Sequence, residues 1–400
     1  MSYLNKVLHI IPGFFPITKG GAEYFALNLC KGLKNYSIIP IIVTRGYKNI
    51  PKSEILDGLI IKRFQNILPS KIKKFGLGIN LKSKFLRMLV AIFDVIGELL
   101  LIFKLYHKYR VNLVHASFIV PSGLIGVILK KILGIPVVIT VHGPADYYTV
   151  PKFIRKFFSI ILQNADKVIT VSDRLRRDIK KEMNVRNILT IKNGIKNFDN
   201  RIKITDKISK YDIDKNIHEP ILIMVGRLVK IKRIDLLIQS MPFLINKYPN
   251  IKLIILGEGI EKANLKQIIK KFRIEKNVIM PGWVSEHLKW RLLGISDIYV
   301  HLSKEEGLSL SLLESQFAGL PVIIPESEFA EEVIKNGYNG MVISAPLNVK
   351  KISENIDQLF SDKKLFNKMK ANSKENSREF TLESMIKNYY LEYQKLLDKK

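Results

Sequence analysis

Pro220-Ile221-Leu222-Ile223-Met224-Val225-Gly226-Arg227 places five apolar residues in a row and closes them with a glycine and a guanidinium. A strand with one wet face alternates apolar and polar side chains. This one is apolar on both faces, as in a parallel sheet covered by helices on each side. Similar runs recur. In the first half, strands are expected at Val7–Ile11, Ile38–Thr44, Leu59–Phe64, Val111–Ala116, Val137–Val141, Lys167–Val171 and Leu189–Lys192. In the second they are expected at Lys252–Leu256, Val278–Met280, Ile298–Leu302, Val322–Ile324 and Met341–Ile343, beside Ile221–Val225 itself. Helical-period stretches separate them, so each half reads as a doubly wound α/β domain.

Asn197 to Glu219 is polar, lacks sustained periodicity and ends at Pro220. The expected organisation is therefore a first domain over 1–195, a linker over 196–219, a second domain over 220–380 and a C-terminal helix over 381–400. That helix carries Met385, Ile386, Tyr389, Tyr390, Tyr393, Leu396 and Leu397 on one stripe, which needs a surface to cover. Two such domains facing across a cleft would bring the carboxyl ends of both sheets together, where ligands of open α/β sheets bind.

The 400 residues are 47% apolar and 25% charged, which excludes a disordered or fibrous chain. The single cysteine, Cys30, excludes an intramolecular disulfide or a multi-cysteine metal site and suits a reducing, cytoplasmic compartment. A secretory leader is not expected, since Met1 to Lys6 run straight into the strand at Val7, and the longest apolar stretch, Met88 to Phe103, is short for a membrane span and contains Asp94 and Glu98. The net charge of +29 is uneven: residues 1–195 carry +21 and residues 196–400 only +8. A uniform composition bias does not produce that difference, so the first half is expected to meet something anionic.

Several residues stand where chemistry would be done. Gly20-Gly21 precede a predicted helix over Ala22–Leu33, where the backbone can approach a ligand and helix amides can meet a phosphate. Arg227 follows its strand directly, with Lys230, Lys232 and Arg233 behind it, and these cations can share the charge of a departing diphosphate. His142 closes the strand Val137–Val141 and can bond a sugar hydroxyl or exchange a proton; His115 is a weaker candidate of the same kind.

The run from His301 to Gly319 reads as a strand end, a loop with Glu305, Glu306 and Gly307, and a short helix from about Ser309 or Ser311 to Ala318. Glu306 on the approach loop can contact a sugar, and Glu314, one turn into the helix, a nucleoside hydroxyl. A second role for Glu314 stays open, because Ser311-Leu312-Leu313-Glu314 also fits a capping box. Glu314→Gln separates the two, since glutamine caps as well but binds a hydroxyl less strongly; stability is expected to survive in either case. Gly257-Glu258-Gly259 reads as a turn whose backbone can line a nucleotide pocket. Asp212-Ile213-Asp214 lies in the linker with Ile217 where a calcium loop needs glycine, and no two histidines have zinc-ligand spacing on one helix, so no metal site is expected.

Taken together, Gly20-Gly21-Ala22-Glu23, Thr140-Val141-His142-Gly143, Lys192-Asn193-Gly194-Ile195, Gly226-Arg227-Leu228 with Lys232, Gly257-Glu258-Gly259, Pro281-Gly282-Trp283-Val284, and Glu306 with Glu314 resemble the family-4 glycosyltransferases of the GT-B fold. The resemblance implies two Rossmann-like domains and a terminal helix crossing back to the first. It also implies retaining, metal-independent transfer of a hexose-type sugar from a UDP- or GDP-sugar, without a cofactor. Under it Arg227 and Lys232 hold the diphosphate, Glu314 the ribose and Glu306 the donor sugar. Gly20 and Gly21 approach the phosphates, His142 contacts the sugar, and backbone near Val284 meets the base. Gly307, Leu308 and Ser309 line the same pocket, although the family often has Gly-Phe-Gly there, and Ser309 narrows the space beside the phosphates.

Between Lys71 and Arg110, nine Lys or Arg and two acids interleave with Ile72, Phe75, Leu77, Leu81, Phe85 and Leu86. This is the composition of a helix lying on an anionic leaflet. A peripheral enzyme on the inner face of the cell membrane, glycosylating a glycan or lipid-linked oligosaccharide in surface polysaccharide synthesis, is the expectation. A sugar-nucleotide 2-epimerase of the same architecture and a non-catalytic sugar-nucleotide-binding protein are the rival readings. A specific nucleic-acid partner is not expected, because the aromatic-studded sheet faces and motifs of such proteins are missing.

Overall fold

The computed structural model describes residues 5–65, 84–143, 150–196, 219–303 and 305–398, with side chains of 84–91 left aside. Most of the expected linker, Asp212 to Asp214 within it and the first part of the basic segment lie outside the described residues. The chain divides into two compact units, residues 1–192 with 383–400, and residues 193–382.

In the first unit the strands are β1 (Asn5–Ile10), β2 (Ile38–Arg45), β3 (Ser53–Leu56), β4 (Leu59–Phe64), β5 (Leu113–Ser117), β6 (Val137–Val141), β7 (Lys167–Thr170) and β8 (Ile188–Thr190). They form one sheet in the order β3-β4-β2-β1-β5-β6-β7-β8. All pairs are parallel except the β3–β4 hairpin, an edge strand that the apolar pattern does not announce. Its helices are α1 (Gly21–Leu33), α2 (Lys84–Tyr109), α3 (Leu124–Leu133), α4 (Lys152–Asn164) and α5 (Asp173–Met183).

The second unit holds β9 (Ile221–Val225), β10 (Lys252–Leu256), β11 (Val278–Gly282), β12 (Ile298–Val300), β13 (Val322–Pro325) and β14 (Gly340–Ile343), ordered β11-β10-β9-β12-β13-β14 and parallel throughout. Its helices are α6 (Ile234–Lys247), α7 (Lys262–Phe272), α8 (Glu286–Ile295), α9 (Leu310–Phe317), α10 (Glu328–Glu331), α11 (Val349–Ser361) and α12 (Lys363–Ser377). Leu222, Ile255, Ile298 and Ile323 meet helix residues such as Leu237, Met241 and Ile356 in its core. Burial on both faces is why β9, β12 and β13 are apolar along their length.

The last helix, α13 (Leu382–Leu397), belongs with the first unit from Glu383 onward. Its apolar stripe carries hydroxyls that the sheet below receives. Tyr393 Oη lies 2.6 Å from His115 Nδ1, and Tyr389 Oη 3.1 Å from Thr140 Oγ1. Tyr390 stacks on Tyr36, and Glu392 pairs with Lys167 at 3.3 Å. Both buried tyrosines thus find polar partners, as burial of a phenol requires.

In each sheet the chain runs outward one way from a central strand and later returns to its other side. These switch points lie between β1 and β5 and between β9 and β12. Ligands of such sheets bind at the carboxyl ends flanking the switch point.

Candidate functional site

The carboxyl end of β9 is Gly226-Arg227. The loop beyond it tightens into a 3-10 turn over Lys230–Lys232 before α6 begins. The Lys232 side chain folds back over the strand end: a methyl group placed on Gly226 would lie 3.9 Å from Lys232 Nζ. Gly257 and Gly259 are what allow the neighbouring loops to close in. A Cβ on Gly257, whose φ is +142°, would fall 1.9 Å from the Gly226 carbonyl, and one on Gly259 2.2 Å from that of Leu228. Backbone bonds from Gly226 to Leu256 and from Leu228 to Glu258 lock the two loops together. Gly257-Glu258-Gly259 is therefore a backbone-packing element that shapes the Arg227 loop. Arg227 itself is exposed; its carbonyl accepts from the Val229 amide at 2.9 Å, but among the described residues no hydrogen bond or ion pair holds its guanidinium.

From the other side of the switch point, the loop after β12 brings Glu306 onto Lys232, where their side chains form a short ion pair, mostly shielded from water. His301 Nε2 lies 3.8 Å from the same carboxylate oxygen. Burial alone would raise the Glu306 carboxyl, but the Lys232 ammonium outweighs it and holds the group below the ordinary carboxylate range. Glu306 is thus an anion at neutral pH, poised beside a cation that an incoming phosphate would also attract.

The α9 helix starts at Leu310 with Ser309 as its N-cap, but the Ser309 hydroxyl makes no capping bond. It lies 3.1 Å from Ser311 Oγ, which in turn is 2.8 Å from the Tyr299 hydroxyl. The capping box considered for Ser311 and Glu314 is not formed, because the helix begins two residues too early for Ser311 to cap it. Glu314 pairs instead with Lys289 of α8 at 2.6 Å, and Lys289 also reaches Glu286 at 3.1 Å. Burial works against the Lys289 charge, and the two carboxylates more than offset it, raising this amine above its ordinary value. The expectation that Glu314→Gln leaves stability intact is corrected accordingly. Glutamine would leave Lys289 short of a counter-charge in a site only 12% exposed, with an expected loss of about 2–3 kcal/mol in denaturant unfolding. Adding Lys289→Met should recover most of it; full stability of the single variant would refute the coupling.

Asn193 carries a further positioning role. Its amide donates to the Leu308 carbonyl at 2.8 Å and so fixes the Gly307-Leu308-Ser309 turn, all three residues of which are buried. Val284 sits half-buried between β11 and α8.

In the first unit, Gly20 caps α1, and its amide donates to the carboxylate of Glu23 at 2.8 Å. That N–H is thus engaged within the helix start, while Gly21 is exposed beside it. His142 follows β6 between Phe25 and Phe118, with ring centroids 4.8 and 5.1 Å away, and its buried Nε2 has no hydrogen-bond partner. Burial pushes its pKa down to about 3, so the ring is neutral. His115 is engaged at both nitrogens, by Thr140 and Tyr393, which makes it a structural residue. His9, which sequence spacing did not single out, pairs in register with His115 across β1 and β5, and their ring centroids are 4.9 Å apart.

Two α/β units, each with a switch point, and a charged cluster at the second of them are the architecture of the GT-B glycosyltransferases. The chain belongs to that class: residues 19–196 match the profile described as Glycosyltransferase Family 4, and residues 206–376 that of Glycosyl transferases group 1. It is similar to an uncharacterised glycosyltransferase of Methanocaldococcus jannaschii, 25% identical over 370 residues and covering 89% of each chain. It also resembles the UDP-Gal:alpha-D-GlcNAc-diphosphoundecaprenol alpha-1,3-galactosyltransferase of Escherichia coli, 26% identical over 276 residues, 64% of this chain and 68% of that one. Among solved structures, Anabaena HepE in complex with UDP and glucose superposes with a TM-score of 0.75 at 16% identity, over 98% of this chain and all of the other. That likeness speaks for the fold.

Proposed function

We propose that this glycosyltransferase moves a hexose-type sugar, with retention of configuration, from a UDP- or GDP-sugar to a glycan or lipid-linked acceptor in surface polysaccharide synthesis. The Lys232–Glu306 pair at the β9/β12 switch point carries the reading. Cleavage of a glycosyl–diphosphate bond builds positive charge on the sugar and negative charge on the departing phosphate. Arg227 and Lys232 meet the second charge without need of a metal, Glu306 meets the donor sugar, and Glu314 the ribose. Gly307, Leu308, Ser309 and Val284 line the donor pocket. Gly20, Gly21 and His142 belong to the unit that takes the acceptor. Retention follows from the family resemblance, and the E. coli relative's undecaprenol-linked substrate supports a lipid-linked acceptor.

A panel of UDP- and GDP-sugars in thermal unfolding tests the donor. The correct nucleotide at a hundredfold excess over its Kd adds about 2.7 kcal/mol of stability. No shift from any member of the panel would refute the reading.

The acceptor side is proposed to work against an anionic bilayer on the inner face of the cell membrane. Among the described residues no helix is long and apolar enough to cross a membrane. Two helices of the first unit nevertheless expose apolar stripes at helical spacing: Phe153, Phe157 and Ile160 on α4, and Ile92, Ile96 and Leu100 on α2. The stripe on α4 is flanked by exposed Lys152 and Lys156, the pairing of apolar wedge and cation that suits an anionic surface. Vesicles containing anionic lipid are expected to sediment the protein at low salt. The triple change of Phe153, Phe157 and Ile160 to serine should abolish this; unchanged sedimentation would remove α4 from the contact.

A further inference from the structure

His301 is an unusual residue to find at the end of a buried strand. It is 1% exposed, and its ring is clamped between Tyr299, stacked at 6.1 Å, and the edge of Phe329 at 5.8 Å. Its own backbone amide donates to Ile323 at 2.9 Å, so the residue has little freedom to move as a whole. Its Nε2 is buried without a hydrogen-bond partner among the described residues, a costly state for a polar atom. The nearest charged acceptor is Glu306 Oε1 at 3.8 Å, too far for a hydrogen bond and close enough to become one with a shift of about 1 Å. Lys232 occupies that same oxygen.

This arrangement matters when a diphosphate arrives at Gly226-Arg227. Lys232, lying over Gly226, is drawn to the phosphate oxygens, and its attraction is then shared between two anions. Glu306 then keeps the Ser303 hydroxyl but, with its ammonium partner drawn off, is a poorly hydrated carboxylate that a further donor would stabilise. We propose that His301 is a positioning residue for Glu306: its neutral Nε2–H takes over the oxygen as Lys232 turns to the diphosphate, keeping the carboxylate ionised and aimed while the cation is used elsewhere. No proton is transferred; one hydrogen bond replaces part of an ion pair. The inference rests on the donor-site reading of Lys232 and Glu306 given above.

The test uses the full chain, UDP and GDP as binding probes, and the nucleotide-sugar that the thermal panel identifies. His301→Leu removes the donor and suits the apolar walls, whereas His301→Gln keeps an N–H in reach of Glu306. Thermal unfolding of each variant establishes that it is folded. His301→Leu is expected to lower kcat about tenfold or more, the scale of one hydrogen bond to a charged group, with a smaller change in KM. His301→Gln should restore most of kcat. In a Glu306→Gln background, His301→Leu should add little, because no carboxylate remains to be held. An unchanged kcat in His301→Leu, failure of folded His301→Gln to rescue, or full additivity with Glu306→Gln would each overturn the proposal. Lys232→Met, measured in parallel, separates the two levels. If it binds UDP and GDP as the native protein does, the donor-site reading falls and this proposal with it. If it loses affinity while His301→Leu turns over normally, this proposal alone falls.

Discussion

Arg227→Ala is expected to cut sugar transfer by about a hundred- to a thousandfold, the cost of removing one fixed donor from a developing anion. Thermal unfolding should barely change. The asymmetry follows from the position of the side chain: it is exposed at the end of β9, and no described residue bonds it, so the fold does not depend on it. Its neighbour differs, because Lys232 is already paired with Glu306 and its removal would leave a shielded carboxylate behind. Arg227→Lys should recover only part of the loss, since a point charge does not reproduce the planar fork that grips two phosphate oxygens. Steady-state transfer assays decide the matter; turnover in Arg227→Ala within threefold of native would remove Arg227 from the chemistry.

Acidification from pH 7.5 to 5 is expected to destabilise the first unit by about 1–3 kcal/mol. His9 and His142 are held neutral by burial, with pKa values near about 3, and burial drives His115 well below its ordinary value too. The unfolded chain takes up protons on these rings as pH falls through about 6.5, whereas the folded state does not. Their contribution is fully present above that value and drains away below it, at about 2 kcal/mol by pH 5 for His9 and again for His142. Glu98 runs the other way. Burial raises its carboxyl to about 8, so the folded state holds a proton there that the unfolded chain gives up above its ordinary value. Acidification therefore returns about 3 kcal/mol through this one group. Three histidines against one carboxyl leave a net loss. His9→Leu isolates the effect, because His9 Nε2 is buried with no partner among the described residues to lose. Denaturant unfolding at the two pH values should show the variant losing about 2 kcal/mol less than the native chain; identical losses would exclude His9 as a contributor.

The strands were legible as apolar runs, unbroken in Ile221–Val225 and Leu253–Leu256, interrupted by one threonine in Val137–Val141 and by Lys62-Arg63 in Leu59–Phe64. The edge strand Ser53–Leu56 was not, because it is half-exposed and short. Its signal was the turn: Asp57-Gly58, with φ of 51° and 75°, is the pair a tight hairpin selects. Arg227, Lys232, Glu306 and Glu314 were legible as chemistry at strand ends and helix starts. Their partners were not, because partnership is set by topology. Lys289 reaches Glu314 from another helix, Asn193 reaches Leu308 across more than a hundred positions, and His9 meets His115 only through strand register. The unformed capping box has the same origin. Local spacing offered Ser311 as a cap, and Tyr299 claimed its hydroxyl instead.

The placement of α13 has a consequence for how the polypeptide is made. Tyr389 and Tyr393 supply the hydroxyls that Thr140 and His115 bond, so the first unit is completed by residues translated only after the whole of the second. A nascent chain that has emerged only as far as the second unit holds a first sheet with His115 Nδ1 unsatisfied and the surface beneath α13 bare. Such a chain is open to chaperones and proteases until α13 has emerged. A truncated message would thereby yield a product that quality control can recognise from its amino-terminal half.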